Sequence, residues 1–299
     1  MFPPFLPSAV TSLQTEYAIV LAQRIVRREI LTPLSQHKIA TAYVQQGKGS
    51  RPILLLHGFD SSLLEYRSLI PFLVAANETW AVDLLGFGFT ERLPGLPYSP
   101  AAIKIHLYSF WQTLIARPMI VVGASMGGAT AINFALTYPQ AVHKLILINS
   151  VGYTGSFPLG QFLFPPFDAL AVEVWRQRKL QPLRLATAFG NWNPALKEAL
   201  RCAALHLEMP GWQEAFSTFT KSGGYSHLSS KVSRVDKPTL ILWGEFDDVL
   251  GVGDAEKFQG DIAGSRLVWL KNCGHVPQLE QPQTVAQHIL SFCYSECSL

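Results

Sequence analysis

Gly123-Ala124-Ser125-Met126-Gly127 is the segment of this 299-residue chain whose residue types and spacing most directly suggest covalent chemistry. It follows the apolar run Met119–Val122 and precedes an alanine-rich stretch, Gly128–Tyr138, that reads as a helix. Small residues around a serine let the backbone turn sharply between strand and helix, so the hydroxyl stands clear above a sheet as a nucleophile. The helix behind it directs backbone N–H groups and a positive dipole end toward a developing oxyanion. A serine hydroxyl is a poor nucleophile near neutral pH and needs an adjacent base. His275, in Asn272-Cys273-Gly274-His275-Val276-Pro277, is the candidate base. Asp247, in Trp243-Gly244-Glu245-Phe246-Asp247-Asp248, is the candidate orienting acid, with Asp248 and then Glu245 as rivals. Only a neutral imidazole can accept the serine proton, so activity is expected to rise with pH as His275 loses its charge.

An oxyanion formed at such a serine needs a second donor. His57-Gly58-Phe59 follows the run Ile53–Leu56, and the backbone N–H groups of Phe59 and Met126 are the expected pair. Losing one such donor commonly costs about 3 kcal/mol of transition-state stabilisation. His57 is expected to brace its loop rather than titrate. Gly86 and Gly88, in Asp83-Leu84-Leu85-Gly86-Phe87-Gly88, lack the spacing and the helix of a dinucleotide loop and read as a turn. His106, His143, His206 and His227 read as surface or packing residues.

These side chains need a frame that brings them together. Apolar runs at Ile53–Leu56, Trp80–Leu85, Met119–Val122, Leu145–Ile148, Thr239–Trp243 and Leu267–Leu270 have the length of strands buried on both faces of a parallel sheet. Helical stretches at Ser99–Ala116, Gly128–Tyr138, Asp254–Gln259 and Gln283–Cys293 alternate with them, and Lys38–Gln45 alternates like a more exposed strand. The pattern predicts an α/β fold: a doubly wound, mostly parallel sheet whose site lies at the carboxyl ends of the strands. Residues 36–150 and 235–299 form the expected core. The rhythm breaks over 151–234, which reads as a helical cap inserted between core strands. From Val151 to Val172 the only charge is Asp168, while Phe157, Phe162, Phe164 and Phe167 interleave with Pro158, Pro165 and Pro166. These four phenylalanines are the candidate substrate or membrane entrance. Residues 1–35 read as an N-terminal amphipathic helical segment. Its helix, Leu13–Leu31, would carry Tyr17, Val20, Leu21, Ile25 and Leu31 on one face, against the core or in a membrane interface.

Composition excludes several classes. Apolar residues reach 48% and charged residues only 15%, with a mean hydropathy of +0.19, which is incompatible with a disordered chain. A net charge of +3 is too weak and too scattered for nucleic-acid binding. No run is long and apolar enough for a membrane span, and MFPPFLPSAV lacks the basic region and cleavage site of a signal peptide. Cys202, Cys273, Cys293 and Cys297 have no metal-ligand spacing and read as reduced thiols.

The whole chain resembles an α/β-hydrolase-fold enzyme with an inserted cap, and the order Ser, Asp, His along the chain is the order of that family. More narrowly, it is similar to the chlorophyll dephytylases of plants and cyanobacteria. The similarity rests on HGFDSSLLEYR at His57–Arg67, ETWAVDLLGFGF at Glu78–Phe89, SGGY at Ser222–Tyr225, LILWGEFDD at Leu240–Asp248 and NCGHVPQLEQP at Asn272–Pro282. Met126 stands where that group more usually has Leu, a position whose N–H matters more than its side chain. The resemblance implies hydrolysis of the phytyl ester of chlorophyll to chlorophyllide and phytol, with no cofactor or metal beyond the substrate's own magnesium. It also implies a peripheral location on the cytoplasmic side of the thylakoid membrane. A tail of about twenty carbons, at about 0.8 kcal/mol per CH₂, strongly resists exposure to water, so its enzyme must dock at a membrane. The alternatives are a carboxylesterase or lipase acting on smaller apolar acyl esters, or a ligand-binding protein that has kept the fold. Haloalkane dehalogenase and epoxide hydrolase chemistry are disfavoured because those enzymes place Asp where this chain has Ser125.

Overall fold

The computed structural model describes residues 1–157, 162, 164–188 and 193–295. Its frame is one eight-stranded sheet. The strands are β1 (Val26–Ile30), β2 (Ile39–Gln46), β3 (Ile53–Leu56), β4 (Thr79–Val82), β5 (Met119–Ala124), β6 (Val142–Ile148), β7 (Thr239–Gly244) and β8 (Arg266–Leu270). They lie in the order β1-β2-β4-β3-β5-β6-β7-β8. From β4 to β8 every pairing is parallel, and β1 and β2 extend one edge antiparallel. The helices are α1 (Glu16–Gln23), α2 (Ile70–Leu73), α3 (Pro100–Leu114), α4 (Met126–Thr137), α5 (Phe167–Ala188), α6 (Pro194–Leu205), α7 (Trp212–Lys221), α8 (Gly253–Asp261), α9 (Pro277–Glu280) and α10 (Pro282–Tyr294).

Every residue of β3, β4, β5 and β7 is buried. Successive side chains of a strand point to opposite faces, so these runs are free of polar side chains apart from Thr79 and Thr239, the first residues of β4 and β7. Leu54, Leu56, Val121, Leu145 and Ile241 pack with Phe110 of α3, Ile132 of α4 and Phe258 of α8. Their neighbours Ile53, Leu55, Val122, Ile146 and Leu240 pack on the other face with Leu21 of α1, Leu73 of α2 and Ile289 of α10. Much of the chain's low charge is therefore absorbed by a sheet covered on both sides.

The N-terminal segment differs from the continuous helix expected over Leu13–Leu31. The helix ends at Gln23, and Val26–Ile30 pairs antiparallel with Ile39–Tyr43 as the edge strand. The edge of β2 offers unpaired backbone groups that a strand satisfies and a helix does not. Leu21 and Ile25 are buried in the core, whereas Tyr17, Val20 and Leu31 are exposed, so the five residues do not share one face.

Helices α5, α6 and α7 lie between β6 and β7 and share a small core of Val172, Ala204, Leu207, Trp212 and Phe216. Ala215 and Phe219 of α7 join the main core, which fastens this insertion to the sheet. Among the described residues, no helix is long and apolar enough to cross a membrane. Cys202, Cys273 and Cys293 are buried free thiols, and Cys297 lies outside the described residues.

Candidate active site

Ser125 sits between β5 and α4 with φ 51° and ψ −118°, a conformation that L residues rarely adopt. It is tied in place by its own N–H, which donates to Ile148 O at 2.9 Å, and by its carbonyl, which accepts from Val151 N at 3.0 Å. Two glycines make the turn possible. A Cβ on Gly127 would lie 1.9 Å from Leu56 O, and one on Gly123 would lie 2.2 Å from Gly127 O. The helix begins at Met126, two residues earlier than the alanine pattern suggests, so its N-terminus opens directly behind the serine.

His275 Nε2 lies 3.2 Å from Ser125 Oγ, and its Nδ1 lies 3.0 Å from each Asp247 oxygen. Ser125 follows β5, Asp247 follows β7 and His275 follows β8, so three parallel strands deliver these groups to the carboxyl end of the sheet. Asp247 is buried and also accepts the N–H groups of Val249 and Leu250, at 2.9 and 3.0 Å. Burial alone would raise its carboxyl, but bonds from His275, Asn149 and Leu250 outweigh that and hold it below the ordinary range. Asp248 is exposed, and among the described residues the acceptors for His275 Nδ1–H are the two Asp247 oxygens.

Phe59 lies just beyond β3, beside the serine turn; a Cβ on the adjacent Gly58 would stand 3.5 Å from Ser125 Cβ. Among the described residues, neither Phe59 N–H nor Met126 N–H meets a backbone acceptor. His57 is fully buried; its Nδ1 lies 2.8 Å from Gly58 O, and its Nε2 accepts from Leu84 N at 3.1 Å. Burial lowers its imidazole to about 4, so it is a neutral brace.

Four supporting residues escaped the sequence reading. Asn149, at the end of β6, donates Nδ2–H to Asp247 Oδ2 at 2.6 Å while its Oδ1 accepts Gly244 N–H at 3.2 Å. Glu65 accepts Gly58 N–H at 3.1 Å and the Gln278 amide at 2.7 Å; burial pushes its carboxyl up. Glu280 accepts the N–H groups of Gly274 and Val276, at 2.7 and 3.0 Å, which flank His275. Asp60, next to Phe59, is buried under the inserted helices, where His206 meets it. His206 is thus a buried hydrogen-bonding residue, not a surface one. The one signal available for Asn149 was a polar side chain directly after an apolar strand.

A cavity of about 410 Å³ holds Ser125 and His275, and Phe59, Trp175, Leu200, Val249 and Leu279 give it an apolar lining. A larger cleft of about 570 Å³, lined by Val172, Arg176, Leu207 and Trp212, lies on the insertion and does not include Ser125. The four phenylalanines expected at an entrance divide. Phe157 packs on Phe59 with ring centroids 4.8 Å apart, whereas Phe162, Phe164 and Phe167 are exposed. None of the four lines the Ser125 cavity.

The residues from β3 to α10 match the α/β hydrolase family over 53–288, and the chain belongs to that family: it is a hydrolase of the α/β hydrolase fold. It is 36% identical to an Arabidopsis thaliana protein, α/β hydrolase domain-containing protein VTE7, over 97% of this chain and 90% of that one. The human monoacylglycerol lipase ABHD6 is 28% identical, over 82% of this chain and 76% of its own. In fold, the chain is similar to a thermophilic esterase from Thermogutta terrifontis, with a TM-score of 0.73, 23% identity and coverage of 89% of this chain and 97% of that one.

Proposed function

We propose that the protein is a serine ester hydrolase whose substrate is the phytyl ester of chlorophyll. The observation that carries the hydrolase chemistry is the unbroken line of hydrogen-bonding distances from Asp247 through His275 to Ser125 Oγ. In this reading His275 takes the Ser125 proton as Oγ attacks the ester carbonyl. The oxyanion is held by Phe59 and Met126 N–H. His275 then protonates the departing phytol oxygen, leaving an acyl-enzyme. Water, deprotonated by His275, releases chlorophyllide and restores Ser125. The chain's own residues supply each of these steps, and the magnesium is the substrate's.

The choice of substrate rests on similarity to the chlorophyll dephytylases in the blocks around His57, Glu78, Ser222, Leu240 and Asn272. The apolar lining of the Ser125 cavity and the exposed Phe162, Phe164 and Phe167 suit an amphiphile delivered from a membrane surface. The test is pigment analysis after incubating purified protein with detergent-solubilised chlorophyll, with Ser125→Ala as the control. Chlorophyllide from the wild type alone is expected. Rapid cleavage of short nitrophenyl esters with no chlorophyllide would replace this reading with the smaller-ester alternative.

A further inference from the structure

Asp60 carries a hydrogen-bond load that the reaction above does not use. Its carboxylate is 2% exposed. Oδ2 accepts Trp175 Nε1–H at 2.8 Å and lies 2.8 Å from Lys179 Nζ, both on α5. Oδ1 accepts Trp212 Nε1–H of α7 and His206 Nε2–H, each at 2.9 Å. Lys179 also donates to the Asp60 backbone carbonyl. All of these donors belong to the inserted helices and the turn between them. Burial keeps His206 well below its usual range, so at neutral pH it is an uncharged N–H donor and Lys179 supplies the compensating charge.

Asp60 directly follows Phe59, and its φ of 49° lies in the left-handed region that non-glycine residues avoid. The Phe59 ring is wedged among Phe157, Trp175, Phe216 and Phe219, all outside the sheet core strands, at centroid distances of 4.8 to 5.8 Å. On the other side, Gly58 is anchored to the core through Glu65 and His57. The peptide that presents Phe59 N–H is therefore held between a core anchor at Gly58 and an anchor on the inserted helices at Asp60. We propose that Asp60 is a positioning residue that couples the seating of the inserted helices to the oxyanion-binding N–H of Phe59. This rests on the serine-hydrolase reading above. When the helices are seated, four donors fix the carboxylate and with it the left-handed turn. When they are lifted, the turn loses its restraint and the N–H leaves its line to Ser125.

The test uses Asp60→Asn and Trp212→Phe, the second keeping the aromatic stack on Phe216 while deleting one donor. On a short nitrophenyl ester, Asp60→Asn is expected to lower kcat about tenfold with KM within about twofold, because the donor is misplaced rather than removed. A boronic acid, which mimics the tetrahedral adduct on Ser125, should bind Asp60→Asn about tenfold more weakly, and Trp212→Phe should lose about threefold on both readouts. Folded variants with unchanged kcat and boronate affinity, differing only in thermal midpoint, would reduce Asp60 to a fastener and overturn the coupling. A wild type that neither turns over ester nor accepts a fluorophosphonate on Ser125 would overturn the serine-hydrolase reading itself.

Discussion

Replacing Asp247 by Asn separates a positioned carboxylate from a merely nearby one. In the wild type, Oδ1 faces the N–H groups of Val249 and Leu250, and Oδ2 faces Asn149 Nδ2–H at 2.6 Å. The backbone donors cannot turn away, so the amide oxygen of the variant must take the Oδ1 place. Its NH₂ then points toward Asn149 and His275 Nδ1. Asn149 cannot relieve this by flipping, because its own Oδ1 accepts Gly244 N–H. His275 Nδ1 lies 3.0 Å from both positions, and accepting from the new NH₂ at the Oδ2 place puts the ring proton on Nε2, facing Ser125 Oγ. The serine then has no base. The cost of the wrong tautomer is about 10³- to 10⁴-fold in kcat, or about 4 to 5.5 kcal/mol, with KM for a short ester within about threefold. The assay is initial-rate hydrolysis of a short nitrophenyl ester from about pH 6 to about pH 9, with Asp248→Asn as the neighbouring control. Asp248 is exposed and should tolerate the change within about twofold. An Asp247→Asn enzyme keeping more than about a tenth of kcat, or an Asp248→Asn enzyme losing as much, would refute the argument.

Gly127→Ala would drive a methyl group to 1.9 Å from Leu56 O, so a loss of more than about 3 kcal/mol is expected in chemical denaturation, and an unchanged midpoint would contradict it. His106 is buried against Thr41 and burial lowers its imidazole to about 4, while the unfolded chain titrates near 6.5. Between those values the unfolded state binds more protons, so stability falls as pH falls, by up to about 3 kcal/mol from this group. Thermal midpoints followed down to about pH 4 should therefore drop less steeply in His106→Gln than in the wild type. Phe162→Glu and Phe164→Glu should slow turnover of solubilised chlorophyll about tenfold while leaving short-ester hydrolysis within about twofold. Equal effects on the two substrates would remove these side chains from substrate delivery.

Local chemistry carried much of the reading from sequence. A strand buried on both faces is apolar at nearly every position, so Ile53–Leu56 and, after its first residue, Thr239–Trp243 announce themselves as runs. A turn as tight as the one at Ser125 admits only small neighbours, which makes Gly123 and Gly127 visible. At the N-terminus, apolar spacing alone could not distinguish one long helix from a helix followed by a strand. The deciding term is the backbone pairing of Val26–Ile30 with residues near 40, and no property of the segment itself encodes it.

The sequence by itself determined the family and pointed to Ser125 after β5 and His275 after β8 as candidates, because strand, turn and motif are each specified within a few residues. Only the tertiary structure decided which acid meets His275 and that Asn149 orients that acid. It alone sent Phe157 inward against Phe59 and left Phe162 outside. It also brought Asp60 to Trp175 and Trp212, partners 115 and 152 residues further along the chain. Such contacts are chosen by the burial of charge and ring surface across distant segments, and a carboxylate's sequence neighbours say nothing about which donors will close over it.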